Sequence, residues 1–182
     1  MNEKSRRIFF ALWPDDDTRH EILKQCRKSG ILKQPGRIMR PENLHITLHF
    51  IGNVSEQQLA CCVAAASQVQ AAPFDIRLDE FGHFVRAGVV WLGSTRLPQA
   101  LQQLHRDLGV ALRGCDYAPD PRPFKPHLTL MRNVKAIKIE LLEVKPLSWS
   151  VDRFALVESI PVEGGVQYQP LQWYSVQDRL PE

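Results

Sequence analysis

Two tetrapeptides of one type stand out in the chain: His45-Ile46-Thr47-Leu48 and His127-Leu128-Thr129-Leu130. If each lies on a β-strand, alternation sends its histidine and threonine to one face and its aliphatic residues to the other. An imidazole has an unperturbed pKa near 6.5. One member of a pair can therefore take a proton from water while the other, protonated, gives one to a leaving oxygen. Threonine hydroxyls beside them can donate hydrogen bonds to non-bridging phosphoryl oxygens, and Arg132, three positions past Thr129, adds a permanent positive charge for the same oxygens. This is a kit for phosphoryl chemistry without a metal. A lone His-x-Thr-aliphatic match is an ordinary strand histidine next to a β-forming threonine. About 0.1 such matches fall by chance in a chain of this length, so the weight rests on there being two.

The elements that must position them repeat. A strand at Ile8 to Leu12, a helix from about Asp15 to Lys28 stopped by Gly30, and a Pro/Gly-rich link lead to a strand at Leu44 to Ile51. Ser55 and Gln58 have the form of a capping box opening an Ala-rich helix to about Gln70. Phe74 to Leu78 alternates as a strand, followed by a loop at Glu80 to Ala87. The opening order then returns: a strand at Val89 to Gly93, a helix with Leu97, Leu101, Leu104, Leu108 and Ala111 on one face, a Pro-rich loop, and a strand at His127 to Met131. Strands at Ile137 to Val144, at Trp149 to Ser159 and near Trp173 close the chain, the last after a Gly164-Gly165 turn. Ala11 lies 34 residues before His45, and Trp91 lies 36 before His127. Such spacing fits an internal duplication. The expected fold is α+β and bilobal: two small, mainly antiparallel sheets enclose a central cleft, with helices outside, in one domain over residues 1–182.

Composition sets the bounds. At 182 residues, 44% hydrophobic and 24% charged, the chain suits a folded globular domain rather than a disordered segment. It has no apolar run of the roughly 20 residues a membrane span needs, and Met1 to Arg7 is polar with no apolar signal core behind it, so a cytoplasmic location is expected. A net charge of +3 is too small for a general nucleic-acid coat but favours an anionic substrate. Cys26, Cys61, Cys62 and Cys115 lack zinc-type spacing, and all four read as reduced thiols.

The paired motifs, with Arg40-Pro41-Glu42-Asn43-Leu44 before the first and Phe50-Ile51-Gly52 after it, resemble the two-histidine phosphoesterases. Within that superfamily they are most similar to the bacterial RNA 2′,3′-cyclic phosphodiesterases, also called 2′-5′ RNA ligases. The likeness runs from Arg7-Ile8-Phe9-Phe10-Ala11-Leu12 through Val90-Trp91-Leu92-Gly93 and Pro123-Phe124-Lys125-Pro126-His127 to Tyr168-Gln169-Pro170-Leu171. It implies hydrolysis of RNA or nucleotide 2′,3′-cyclic phosphates to 2′-phosphomonoesters, with a slow ATP-independent reverse ligation. It also implies His45 as proton donor to the departing 3′ oxygen, His127 as proton acceptor from water, and phosphate contacts from Thr47, Thr129 and Arg132. No cofactor or metal is expected, and a monomer is.

Other readings compete. His45 and His49 are spaced as a helical metal pair, but the segment is β-patterned and lacks the glutamate of the zinc-protease motif. An idle RNA- or nucleotide-binding module needs charge and stacking, not two titrating groups in matched places. A different cyclic phosphate or a 2′-5′ linkage as substrate stays open. His49 falls on the His45 face by alternation. Phe50 falls in the core by the same rule, or contacts a nucleotide if the strand bulges there. Arg37, Arg40, Arg86, Arg122 and Lys125 flank the inferred cleft. His20, His83 and His105 are assigned no role.

Overall fold

The computed structural model describes residues 5–176. Of the polar opening, Met1 to Lys4 lie outside the described residues. The first half contains β1 (Arg6–Leu12), α1 (Asp16–Ser29), β2 (Arg37–Ile38), β3 (Ile46–Val54), α2 (Glu56–Ser67) and β4 (Phe74–Leu78). The second contains β5 (Glu80–Phe84), β6 (Val89–Gly93), α3 (Gln99–Leu112), β7 (His127–Arg132), β8 (Leu147–Val151), β9 (Arg153–Val162) and β10 (Gly165–Ser175).

The helices form where local signals place them. The Asp15 carboxylate accepts from the Thr18 N–H at the start of α1, and Gly30, with φ of 78°, takes the left-handed position that ends it. Ser55 caps α2 through the Gln58 N–H, but the Gln58 side chain does not return to the cap. It donates instead to the Cys115 carbonyl at 2.9 Å. In α3 the buried stripe is Leu101, Leu104, Leu108 and Leu112, so Leu112 rather than Ala111 continues it. These helical residues share one core with Ile8, Phe10 and Leu12 of β1. The alternate residues Phe9 and Ala11 form a smaller cluster on the opposite face with Ala155 and Val157.

The main sheet runs β10-β9-β1-β3-β7-β6-β5, with β2 also on β7, and its paired strands are antiparallel. Two half-sheets, each carrying one His-x-Thr strand, meet in it. They join through a single bridge, Ile46 opposite Leu128. The two halves match in register: Ala11 faces Thr47 on β1 and β3, and Trp91 faces Thr129 on β6 and β7.

Four further details differ from the sequence reading. Glu80 to Phe84 is a strand paired with β6, not a loop. Ile137 to Val144 is not a strand: it holds a short 3-10 turn at Ile139–Leu141, with Leu141 exposed. The segment from Trp149 to Ser159 breaks at Asp152, so β8 pairs with β4 in a separate two-stranded sheet while β9 joins the main one. Finally, Cys61 and Cys115 are not thiols but a disulfide, with Cα atoms 5.6 Å apart, tying α2 to the turn after α3. Spacing excludes a zinc knuckle, but it carries no information on which helix ends meet in space. Cys26 and Cys62 are free and buried.

The bridge closes a chain separation of 54 residues. A Cys61→Ser, Cys115→Ser double variant should lose roughly 2–4 kcal/mol of unfolding free energy through the greater entropy of the open unfolded chain. Urea denaturation checks this, and an unchanged midpoint would contradict it.

Candidate active site

The bridge between β3 and β7 fixes the site. With Ile46 opposite Leu128 in an antiparallel pair, the register sets His45 across from Thr129 and Thr47 across from His127, all on one face of the sheet. The two histidines are then diagonal neighbours, a relationship that spaces residues roughly 7–8 Å apart with their Cβ atoms somewhat closer. All four residues line one cleft of about 750 Å³.

Each strand carries the same irregularity just past its motif. Register slips by one residue between Phe10 and Ala11 opposite β3, and between Val90 and Trp91 opposite β7. The extra residues are Leu48 and Leu130. A bulge of this kind inverts the facing of everything after it. Leu48 and His49 are consequently both buried, and Phe50 turns to the cleft with 48% of its surface exposed. In β7, Leu130 and Met131 are buried and Arg132 turns to the cleft. Phe50 and Arg132 occupy equivalent places in the two repeats.

His49 is thus not on the His45 face, and this pair cannot share a metal. His49 sits beneath α3, where Nε2 donates to the His105 carbonyl at 2.7 Å and Nδ1 accepts from the Tyr117 hydroxyl at 3.2 Å. Its ring stacks on His105, which stacks on Phe124, with centroids 4.3 and 4.0 Å apart. The segment leading to His127 is held at Tyr117 and at Phe124 by this cluster. Gly109 makes room for it, since a Cβ there would lie 2.9 Å from the His49 ring.

The two catalytic candidates are oriented alike. Nδ1 of His45 lies 2.7 Å from the Asn43 carbonyl, and Nδ1 of His127 lies 2.8 Å from the Lys125 carbonyl. A carbonyl only accepts, so the proton of each neutral ring sits on Nδ1 and Nε2 is left for the cleft. Nε2 of His45 accepts from the Thr47 hydroxyl at 3.1 Å. Asn43 is buried, and its amide clamps β10, donating to the Val166 carbonyl at 2.9 Å and accepting from the Tyr168 N–H at 3.0 Å.

Aromatic rings hold both imidazoles. Phe9, Trp13 and Tyr168 surround His45 at centroid distances of 4.9, 5.6 and 5.1 Å. Phe84 and Trp91 pack against His127 at 5.1 and 6.2 Å. Gly82 leaves space for the indole, which a Cβ would approach to 1.8 Å. Burial pushes the His45 pKa down to about 4, helped by the nearby charges of His127 and Arg132 and opposed by the Asn43 carbonyl. Burial likewise lowers His127, with Lys125 and Arg132 adding to the effect and the Lys125 carbonyl opposing it.

Of the flanking basic residues, Arg37 lines the cleft and Arg40 lines a smaller adjoining pocket. Lys125 lies 4.2 Å over the Trp91 ring and pairs with Glu80 at 3.1 Å, while Arg122 is bonded to Asp120. Arg86 does not line the cleft. Sequence reasoning gave no role to Asn43, Tyr168, Trp13 or Phe84. The available signal for Asn43 was a polar residue two positions before the strand histidine. Among the described residues no group of three or more His, Cys, Asp or Glu is arranged to hold a metal ion, and no helix is long and apolar enough to cross a membrane.

A family model described as the 2′-5′ RNA ligase superfamily matches residues 14–161. The chain belongs to this superfamily. The RNA 2′,3′-cyclic phosphodiesterase of Escherichia coli (strain K12) is 32% identical over 177 residues, covering 94% of this chain and 97% of that protein. Its namesake from Thermus thermophilus is 30% identical over 188 residues, covering 93% and 90%. The crystal structure of E. coli LigT complexed with 3′-AMP superposes with a TM-score of 0.86 at 30% identity, over 96% of this chain and all of that one. The bilobal antiparallel fold is thus the superfamily's own.

The lowered histidines have a cost in acid. His45 and His105 are both pushed down to about 4, and His49 and His127 are lowered, all chiefly by burial. Between those values and the ordinary 6.5 the unfolded chain binds more protons than the folded one. The stability is therefore present above pH 6.5 and lost as pH falls through the folded values. Each pH unit over which a group is kept neutral is worth about 1.4 kcal/mol, so urea denaturation at pH 7 and pH 4.5 should differ by several kcal/mol. Equal stability at the two pH values would contradict the burial described.

Proposed function

We propose that the chain is an RNA 2′,3′-cyclic phosphodiesterase, hydrolysing cyclic phosphate ends to 2′-phosphomonoesters by metal-independent acid–base catalysis between His45 and His127. The observation that carries this reading is the diagonal placement of two Nδ1-anchored imidazoles, each opposite the other motif's threonine, in one cleft. Relatives of that name, similar over nearly their whole length, support it.

In this mechanism Nε2 of His127 takes a proton from water as its oxygen attacks phosphorus. The P–O3′ bond breaks in line, and His45 delivers a proton to O3′, leaving a 2′-phosphate and a free 3′-hydroxyl. Thr47, Thr129 and Arg132 hold the non-bridging oxygens. With an RNA 5′-hydroxyl in the place of water, the same displacement joins it to phosphorus as a 2′-5′ linkage and frees the 3′-hydroxyl, without ATP. Both imidazoles are neutral at neutral pH in the empty cleft, and a bound phosphate anion raises both pKa values, so the acid is charged by the substrate it serves. In this reading Phe50, exposed in the same cleft, offers its ring to the terminal base. The enzyme in this reading is a cytoplasmic monomer. The Cys61–Cys115 bridge argues the other way on compartment, because cytosolic disulfides are rare.

The test is product analysis of an RNA ending in a 2′,3′-cyclic phosphate, with EDTA present. Expected is a 2′-phosphate end, with His45→Ala and His127→Ala each losing about 10²–10⁴-fold in turnover. Loss of activity on chelation, a 3′-phosphate product, or binding without turnover would each overturn the reading, the last in favour of an idle RNA-binding module.

A further inference from the structure

The cleft extends past the two histidines along β1 and β3, and its far rows carry Arg7, Phe50 and Asn53. The paired residues step away from the motif in order: Ala11 opposite Thr47, Phe9 opposite Phe50, Arg7 opposite Asn53. Each step of two residues covers roughly 7 Å. The Arg7 guanidinium does not stay in the last row but reaches back, 4.9 Å above the Phe50 ring. The ring beneath it belongs to the row next to that of Thr47, roughly 7 Å further along the strand. That is too far to touch the cyclic phosphate. It matches the reach from a terminal phosphate across its own ribose to the phosphodiester on the 5′ side.

The charge of Arg7 is available there. Glu158, which also lines this cleft, is held by Arg6 through two hydrogen bonds at 2.6 and 3.0 Å, and Arg7 makes no ion pair among the described residues. Ser159 and Asn53 line the same end of the cleft. Chain direction also agrees. The proton donor to O3′ must lie beside the terminal ribose, and His45 belongs to the β1–β3 half. An RNA strand entering by that half passes Arg7 and Phe50 before it ends at the histidines.

Resting on the phosphodiesterase reading, we propose that Arg7 binds the phosphodiester immediately 5′ of the terminal nucleotide and makes the enzyme select RNA ends over mononucleotides. One charge-assisted hydrogen bond to a phosphate gives roughly a ten- to hundredfold preference. The contact adds one cation to the counterion-release slope for the longer substrate alone.

The experiment compares kcat/KM for adenosine 2′,3′-cyclic phosphate and for adenylyl-(3′-5′)-adenosine 2′,3′-cyclic phosphate, at low and moderate salt. Wild type should favour the dinucleotide by about tenfold or more. Arg7→Gln should bring the ratio toward one by lowering the dinucleotide value alone, with an unchanged thermal midpoint, and Arg7→Lys should restore part of the ratio and its salt dependence. Wild type without the preference, or Arg7→Gln retaining it, overturns the assignment of Arg7 and leaves the enzyme's activity standing. Failure of wild type to turn over either substrate removes the phosphodiesterase reading itself, and this proposal with it.

Discussion

One backbone pairing governs the site: Ile46 of β3 against Leu128 of β7, the only bridge between these two strands. Antiparallel geometry around that pair puts each histidine across from the other repeat's threonine. A one-residue slip would turn one motif into the core. The two half-sheets then diverge, and the space between them is the cleft. Pairing at a single point is what lets one continuous sheet hold a pocket in its middle.

The bulges at Leu48 and Leu130 complete the arrangement. Without them, strict alternation would bury Phe50 and Arg132 and turn His49 and Met131 to the cleft. The repeats have diverged at this equivalent place, one presenting an aromatic ring and the other a cation. The halves are alike at the two His-x-Thr motifs and unlike at this place, where one offers a ring and the other a charge. The aromatic surroundings pack against both rings, and the burial lowers the pKa of both imidazoles.

Much of this was legible in the residues. Alternation in His-x-Thr, the Asp15 and Gly30 ends of α1, the repeat spacing and the middle of the α3 stripe (Leu101, Leu104, Leu108) follow from local rules, and each stands in the structure. What the sequence did not reveal is non-local. A bulge is one extra residue relative to a partner strand, so His49 and Phe50 cannot be placed until β1 is aligned with β3. The Cys61–Cys115 bridge depends on how α2 meets the end of α3. Ile137 to Val144 has the composition of a strand, but it finds no partner among the described residues. Asn43 looks like any loop asparagine until its amide is seen spanning to β10.

The central claim is that both imidazoles meet one phosphate. NMR titration of the histidine side chains, in the free protein and with a nucleoside 2′-phosphate bound, tests it directly. In the free protein His45 should titrate near pH 4 and His127 below 6.5, each carrying its neutral proton on Nδ1. Both pKa values should rise on binding the phosphate. A ligand that moves only one of the two rings, or neither, would contradict a shared phosphorus site.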